Sequence, residues 1–308
     1  MGRISALFVC LALTLGACGE ASDKPATPAA TGDESFPVTI QAVNGDVDIP
    51  SRPERIVSLS STATEMLFAI GAGDQVVAVD DQSDYPPGVP TTSLSGYEPN
   101  VEAIAEYGPD LVVAAGGSGL KSLAGLSIPL LVHPAAGTLD EAYTQFEQLG
   151  VATGHVAEAA EEVARIKSRI DEIVATVPDF AEPPSFYHEL DNTYFSATSA
   201  TFIGQIYELA GLTNIADKAD KAGTGYPQLS AEYIVQADPD LIFLADSECC
   251  NQTPERVASR PGWDKISAVR NDAVFDVGDD IASRWGPRIV DFLQKVVDAE
   301  RELEMANQ

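Results

Sequence analysis

The segment VEAIAEYGPDLVVAA at residues 101–115 is echoed by AEYIVQADPDLIFLA at residues 231–245. The two copies place Glu102 against Glu232, and their Pro-Asp pairs also coincide, at an offset of 130 residues. Each copy is typical of a short helix, a turn and an apolar strand. Repeats this far apart indicate two similar lobes, because the repeats of a solenoid are much shorter. Two lobes imply a cleft between them, and such clefts bind ligands.

A second echo links LFAIG at residues 67–71 with YELAG at residues 207–211. Apolar residues recur at helical spacing from His155 to Val177, and Pro178 ends the pattern, so one long helix is expected to connect the lobes. Strands that alternate with helices predict an α/β fold, with two similar lobes whose parallel sheets are joined by one long backbone helix. The predicted boundaries are 36–153 for the N-terminal lobe, 154–178 for the helix and 179–308 for the C-terminal lobe.

Two local predictions concern the first lobe. Residues 36–49 have the alternation of a β-hairpin, with Asn44 and Gly45 as its two turn residues. Further on, Thr62 and Glu65 have the spacing of a capping box that opens a helix through Ile70.

The N-terminus has the pattern of an export signal. Arg3 precedes an apolar run too short for a permanent membrane span, and the run ends in Leu-Gly-Ala before Cys18. This resembles a bacterial lipobox, with residues 1–17 as signal peptide and Cys18 as the lipidated residue; the alternative is an ordinary secretion signal with a chance cysteine. Residues 18–35 lack large aliphatic side chains and are predicted to be a flexible tether. The protein is expected to be exported and lipid-anchored, at the outer face of the cell membrane or in the periplasm.

The formal net charge of −29 argues strongly against nucleic acid or an anionic membrane surface as a partner, because binding to phosphates needs concentrated Lys and Arg. Cys249 and Cys250 are the remaining cysteines once Cys10 leaves with the signal and Cys18 is lipidated. They follow a predicted strand at its carboxyl end, where ligands of α/β sheets collect. The two readings are a vicinal disulfide near the cleft, or two free thiols in a surface loop.

Several further stretches resemble the iron-chelate and cobalamin class of bacterial solute-binding proteins, which serve ABC importers. The resemblance covers nearly all of the chain from Phe36 onward, and it depends on the order and spacing of the motifs together. The stretches are PERIVSLS (53–60), ATE (63–65), SDYP (83–86), NVE (100–102), YPQLSAE (226–232), RPGW (260–263) and RWGPR (284–288).

This resemblance implies a monomer that binds a metal chelate of the ferric siderophore or corrinoid type between its lobes. It also implies that Glu102 and Glu232 dock onto paired arginines of a membrane permease dimer; the simpler alternative is that both are first-turn glutamates favoured by the helix dipole. No enzymatic activity and no resident cofactor are expected.

The resemblance also suggests the lining of the cleft. Cobalamin binders of this class have aromatic residues at positions that here align with Gln82, Gly96, Ala115, Glu189 and Ile281. The candidate ligand contacts are therefore mainly polar: Gln82, Tyr85, Tyr97, His188, Glu189, Asp191, Tyr226, Asp280, Arg284 and Trp285.

Other classes of function have weaker support in the sequence. A directly bound metal cation would need several His and carboxylate ligands, and His188 with Glu189 and Asp191 is the one local cluster. An enzyme is less favoured, because the sequence contains no GxSxG, HExxH or Walker motif. A scaffold lipoprotein would not require the duplication that builds a cleft.

Overall fold

Two parallel sheets, one in each half of the chain, organise residues 36–117 and 119–306, which are the residues that this computed structural model describes. The first sheet has the order β4-β3-β5-β6 and the second has the order β8-β7-β9-β10. In both sheets the strands therefore lie in the order second, first, third, fourth. The strands are β1 Val38–Ala42, β2 Gly45–Ile49, β3 Ile56–Leu59, β4 Val76–Val79, β5 Leu111–Ala114, β6 Leu130–Val132, β7 Ser185–Glu189, β8 Thr213–Asn214, β9 Leu241–Leu244 and β10 Val274–Asp276.

The register of the sheets repeats as well. Ile56 of β3 pairs with Leu111 of β5, and Phe186 of β7 pairs with Leu241 of β9. Both members of the second pair lie 130 positions after their counterparts, which is the offset seen in the sequence. The predicted α/β fold with two similar lobes is therefore confirmed.

The repeated aspartates of the Pro-Asp turns fix the starts of neighbouring strands. The Asp110 carboxylate accepts hydrogen bonds from the backbone N–H groups of Glu54 and Arg55, at 2.8 and 2.9 Å. The Asp240 carboxylate accepts from the N–H and the hydroxyl of Ser185, both at 2.8 Å. Each aspartate thus aligns the strand beside its own, which gives a structural reason for this part of the repeat.

Long helices connect and cover the sheets. The predicted connecting helix is α5, and its buried face includes Val163, Ile166 and Ile170. It packs against α4 and against α11, the last helix of the chain. The lobe boundaries at 153/154 and 178/179 stay predictions. The helices are α1 Ser61–Ala69, α2 Val101–Ala105, α3 Leu120–Leu123, α4 Leu139–Thr153, α5 Val156–Val174, α6 Phe202–Leu209, α7 Ala231–Ala237, α8 Pro254–Ala258, α9 Ser267–Arg270, α10 Asp279–Ser283 and α11 Ile289–Ala306.

The second echo marks the ends of two helices. Gly71 and Gly211 follow α1 and α6 closely, with φ of +84° and +79°. In both places the next residue's N–H donates to the carbonyl five residues earlier, at 2.8 and 3.1 Å. A left-handed glycine allows this closure of a helix end without a Cβ clash.

The N-terminal hairpin forms as predicted, but its turn is shifted by one residue. Ala42 pairs with Gly45, so the turn residues are Val43 and Asn44 rather than Asn44 and Gly45. Gly45 alone of the predicted turn pair has positive φ, at 103°. The Asn44 side-chain amide instead bonds the backbone of β6 through both its nitrogen and its oxygen, at 2.9 and 3.2 Å. This contact attaches the hairpin to the first sheet.

The predicted signal segment, Cys18 and the tether lie outside the described residues. Among the helices that are described, none is both long and apolar enough to cross a membrane.

Candidate ligand-binding site

A cavity of about 570 Å³, here called the inter-lobe pocket, lies where the first sheet's strands end and faces the second lobe. The residues after β3, β4 and β5 line one wall, as expected for ligand sites of parallel α/β sheets. Residues of α10 and the segment after it line the opposite wall. Five of the predicted contacts meet here: Gln82, Tyr97, Asp280, Arg284 and Trp285.

Arg284 joins the two walls of the pocket. Its Nη1 donates to the carboxylates of Glu65 and Asp84, at 3.0 and 2.9 Å. Its Nη2 donates to the Gln82 carbonyl at 2.9 Å and lies 2.6 Å from the Asp280 carboxylate. The arginine side chain is only 8% exposed. Because its main partners come from both lobes, Arg284 holds the floor of the pocket in one arrangement.

Glu65 lies beneath this arginine and is completely buried. Arg288 contacts both of its oxygens, at 3.0 and 2.6 Å, while Arg284 shares one of them. The predicted capping box is therefore wrong: Ser60 caps α1 by accepting from the Ala63 N–H at 3.3 Å. Glu65 points away from the backbone because two guanidinium groups of the other lobe neutralise it.

Three predicted aromatic contacts, Trp285, Tyr97 and Tyr85, differ in their position relative to the inter-lobe pocket. The Trp285 indole N–H donates to the Gln145 side-chain oxygen of the first lobe at 2.7 Å, so this ring is fixed. Tyr97 is 75% exposed at the mouth of the pocket. Tyr85 lies outside the inter-lobe pocket and lines an adjoining cavity of about 210 Å³. Its ring centre lies 4.3 Å from the Arg288 guanidinium carbon, as in a cation–π contact.

The structure adds lining residues that were not identified from the sequence, and Asp80 is one of them. Asp80 follows β4 and is buried, and this burial raises the pKa of its carboxyl group. Its side chain accepts from the Ser83 hydroxyl at 2.6 Å. A Cβ at Gly96 would lie 2.6 Å from an Asp80 carboxyl oxygen, so the floor requires glycine at that position. Asp80 could have been identified because it directly follows the apolar run VVAV at residues 76–79. The resemblance placed Gly96 at a lining position, but it did not show that this position requires glycine.

His188 and Glu189 lie in the interior of the second lobe and not in the pocket. The His188 Nδ1 is 2.8 Å from the Tyr207 hydroxyl, and burial lowers the pKa of His188 to about 3. Glu189 forms a two-pronged ion pair with Arg260, at 2.6 and 2.5 Å. We leave both residues out of the proposed ligand site.

Asp191 and Tyr226 also lie apart from the inter-lobe pocket. Asp191 accepts from the N–H and the hydroxyl of Thr193, at 2.8 and 2.6 Å, and so stabilises its own turn. Tyr226 is 44% exposed on the second lobe. Neither residue contributes to the lining of the pocket.

Cys249 and Cys250 follow β9 in a loop beside α10. Their sulfur atoms are in contact, as in a vicinal disulfide. The Cys249 N–H donates to the Asp279 carboxylate at 2.8 Å, and the preceding Glu248 lines the smaller cavity with Tyr85. The loop thus lies beside the site, and the predicted disulfide stays a prediction.

The two glutamates of the repeat occupy equivalent surface positions. Glu102 and Glu232 are exposed in the first turns of α2 and α7. Both helices have a side-chain cap, since Asn100 and Ser230 accept from backbone N–H groups at 3.0 and 3.1 Å. Their docking role stays a prediction. Among the described residues, no group of three or more His, Cys, Asp or Glu side chains is placed to hold a metal ion.

Comparisons with known proteins identify relatives among substrate-binding proteins. The chain is 32% identical to an uncharacterised ABC transporter substrate-binding lipoprotein of Bacillus subtilis, over 96% of each chain. It is also 32% identical to the cobalamin-binding protein of Halobacterium salinarum, over 97% of this chain and 84% of that protein.

Solved structures show the same fold. A possible iron-binding protein of Staphylococcus epidermidis superposes with a TM-score of 0.70 at 28% identity, over 81% of this chain and 99% of the other. The vitamin B12 binding protein of Vibrio cholerae superposes with a TM-score of 0.68 at 26% identity, over 83% of this chain and 98% of the other.

The profile of the periplasmic binding protein family matches residues 56–281, which include both sheets and the wall of the pocket up to α10. The chain therefore belongs to the periplasmic binding protein family and is a substrate-binding protein of the ABC-import type rather than an enzyme.

Proposed function

We propose that this protein captures a metal chelate, of the ferric siderophore or corrinoid type, in the inter-lobe pocket and delivers it to an ABC permease. The observation that carries this proposal is the pocket itself, whose volume of about 570 Å³ far exceeds that of a single ion. The relatives named for cobalamin binding and for possible iron binding support the same ligand type.

The contacts between the lobes suggest that ligand capture needs little closure. Arg284 and Arg288 of the C-terminal segment hold Glu65 of the first lobe, and Trp285 holds Gln145. Opening the cleft widely would leave the buried Glu65 without its partners, which is costly. Ligand therefore enters a pocket that is largely preformed.

We further propose that the protein is exported as a lipid-anchored monomer. Cys18 in its lipobox would carry the lipid, and the Bacillus relative named as a lipoprotein supports this anchor. Glu102 and Glu232 would meet the arginines of a permease dimer, one glutamate from each lobe.

The test is to purify the full-length protein in mild detergent and identify bound small molecules by mass spectrometry. A co-purified corrinoid or iron chelate that raises the thermal midpoint when added back is the expected result. Turnover of that molecule, or the absence of any stabilising chelate in a panel of corrinoids and ferric siderophores, would contradict the proposal.

A further inference from the structure

The inter-lobe pocket has more carboxylates than guanidinium groups. Asp80 and Asp81 line it from the end of β4, and Asp280 lines it from the opposite lobe. Among the described lining residues, Arg284 is the one basic side chain. The chain as a whole has a formal net charge of −29, which also repels anions during approach.

The arginines of this region are already engaged. Both terminal nitrogens of Arg284 contact the protein, through Glu65 and Asp84 on one side and the Gln82 carbonyl and Asp280 on the other. Arg288 uses its Nε and Nη2 on Glu65, and the Tyr85 ring lies against its guanidinium face. These contacts compete directly with any carboxylate or phenolate that a ligand would bring.

Turning either arginine toward a ligand would uncover Glu65. This carboxylate is fully buried and depends on both guanidinium groups for its charge compensation. An unpaired buried carboxylate is strongly unfavourable, so the arginines are held in place by the fold. An anionic ligand would therefore meet Asp81 and Asp280 without a guanidinium group released to neutralise it.

We propose that the inter-lobe pocket selects metal chelates that are neutral or positively charged and rejects chelates that carry negative charge on their surface. This inference rests on the proposed function and adds the charge class of the ligand. Chelates with free carboxylates or ionised catechols belong to the rejected class, whereas uncharged hydroxamate complexes and amide-bearing corrinoids belong to the accepted class.

The first experiment measures the affinity of the full-length protein for chelates of one size and different charge. Ferrioxamine B carries one positive charge, its N-acetyl derivative carries none, and its N-succinyl derivative carries one negative charge. Cyanocobalamin and its carboxylate-bearing hydrolysis product form a second series. Titrations are carried out at low ionic strength, because salt screens the interaction between charges. Binding is followed by tryptophan fluorescence, to which both Trp263 and Trp285 contribute.

Within the series that binds, we expect the affinity for the negatively charged chelate to be lower than the affinity for the neutral chelate by about tenfold or more. Equal or tighter binding of the negative member would overturn the charge inference and leave the proposed function standing. If no member of either series binds, the proposed function fails and this inference fails with it.

A matched pair of variants assigns the selectivity to the pocket. Asp81→Asn removes an exposed carboxylate from the lining, where its only side-chain hydrogen bond among the described residues comes from Gln82 at 3.3 Å. Asp74→Asn removes the same charge from an exposed turn at the other end of β4. Asp81→Asn should reduce the ratio of affinities for the neutral and the negative chelate by about threefold or more. Asp74→Asn should leave this ratio unchanged. Equal effects of the two variants would overturn the assignment to the pocket.

Discussion

At the scale of single residues, Glu65 is the buried carboxylate on which Arg284 and Arg288 converge. We expect Glu65→Gln to lower the free energy of unfolding by about 3 kcal/mol, because two guanidinium groups would share one neutral amide. Urea unfolding measures this change. The control is Glu106→Gln, which alters an exposed side chain at the end of α2 and should have almost no effect. Similar losses in both variants would contradict the assigned role of Glu65.

His188 provides a second prediction at this scale. Burial lowers the folded-state pKa of His188 to about 3 from an ordinary value of 6.5. Between these two pH values the unfolded chain therefore binds a proton at this residue and the folded chain does not. The free energy of unfolding should therefore fall as the pH drops below about 6.5. His188 should account for a loss of about 2 kcal/mol at pH 5. Histidine NMR, with His188→Gln used to assign the signal, should show a neutral ring in the folded protein at pH 5. A protonated ring at that pH would contradict the burial argument.

At the scale of elements, α11 carries a carboxyl group that its environment does not compensate. Glu300 is 1% exposed, and among the described residues neither side-chain oxygen has a hydrogen-bond partner. Burial raises the pKa of Glu300 to about 8, so at neutral pH the folded chain holds a proton that the unfolded chain releases. The contribution of Glu300 to the free energy of unfolding therefore decreases as the pH rises from about 4.5 toward 8.

Replacing this side chain should stabilise α11 in its packed position. We expect Glu300→Met to raise the free energy of unfolding by about 2 kcal/mol at pH 7, with a smaller gain at pH 4. Thermal unfolding at the two pH values measures the difference. Glu302→Gln is the matched control, because this neighbouring side chain is exposed on the same helix. A gain for Glu300→Met that did not depend on pH would point to apolar packing instead of the carboxyl group.

At the scale of the whole molecule, the symmetric positions of Glu102 and Glu232 predict how the protein meets its permease. Reversing both to Lys should abolish uptake and leave ligand affinity unchanged, because both residues are exposed and neither lines the pocket. Uptake assays and ligand titrations on the same double variant test this. Changing the exposed pair Glu106 and Asp264 in the same way provides a control of equal charge. Normal uptake by the first variant would contradict docking, and lost ligand binding would place these carboxylates at the ligand site instead.

The sequence by itself determined the duplicated architecture. The repeats at an offset of 130 residues predicted two similar lobes, and the structure repeats both strand order and register at that offset. Local patterns could do this because strand pairing and helix ends depend mainly on residues within each repeat, such as Asp110 and Gly71. Glu102 and Glu232 could be identified from the sequence for the same reason, since they occupy the same position in the two repeats.

The tertiary structure alone decided which polar side chains meet. Strand β7 is covered on both faces, so His188 and Glu189 showed no alternation that would separate interior from cleft. Glu65 and Arg284 are 219 residues apart, and no local spacing connects them. The resemblance placed Gly96 at a lining position, but the requirement for glycine there depends on how closely the Asp80 carboxyl group approaches. The composition of the pocket thus depends on contacts between distant segments, which form only when the lobes fold and pack together.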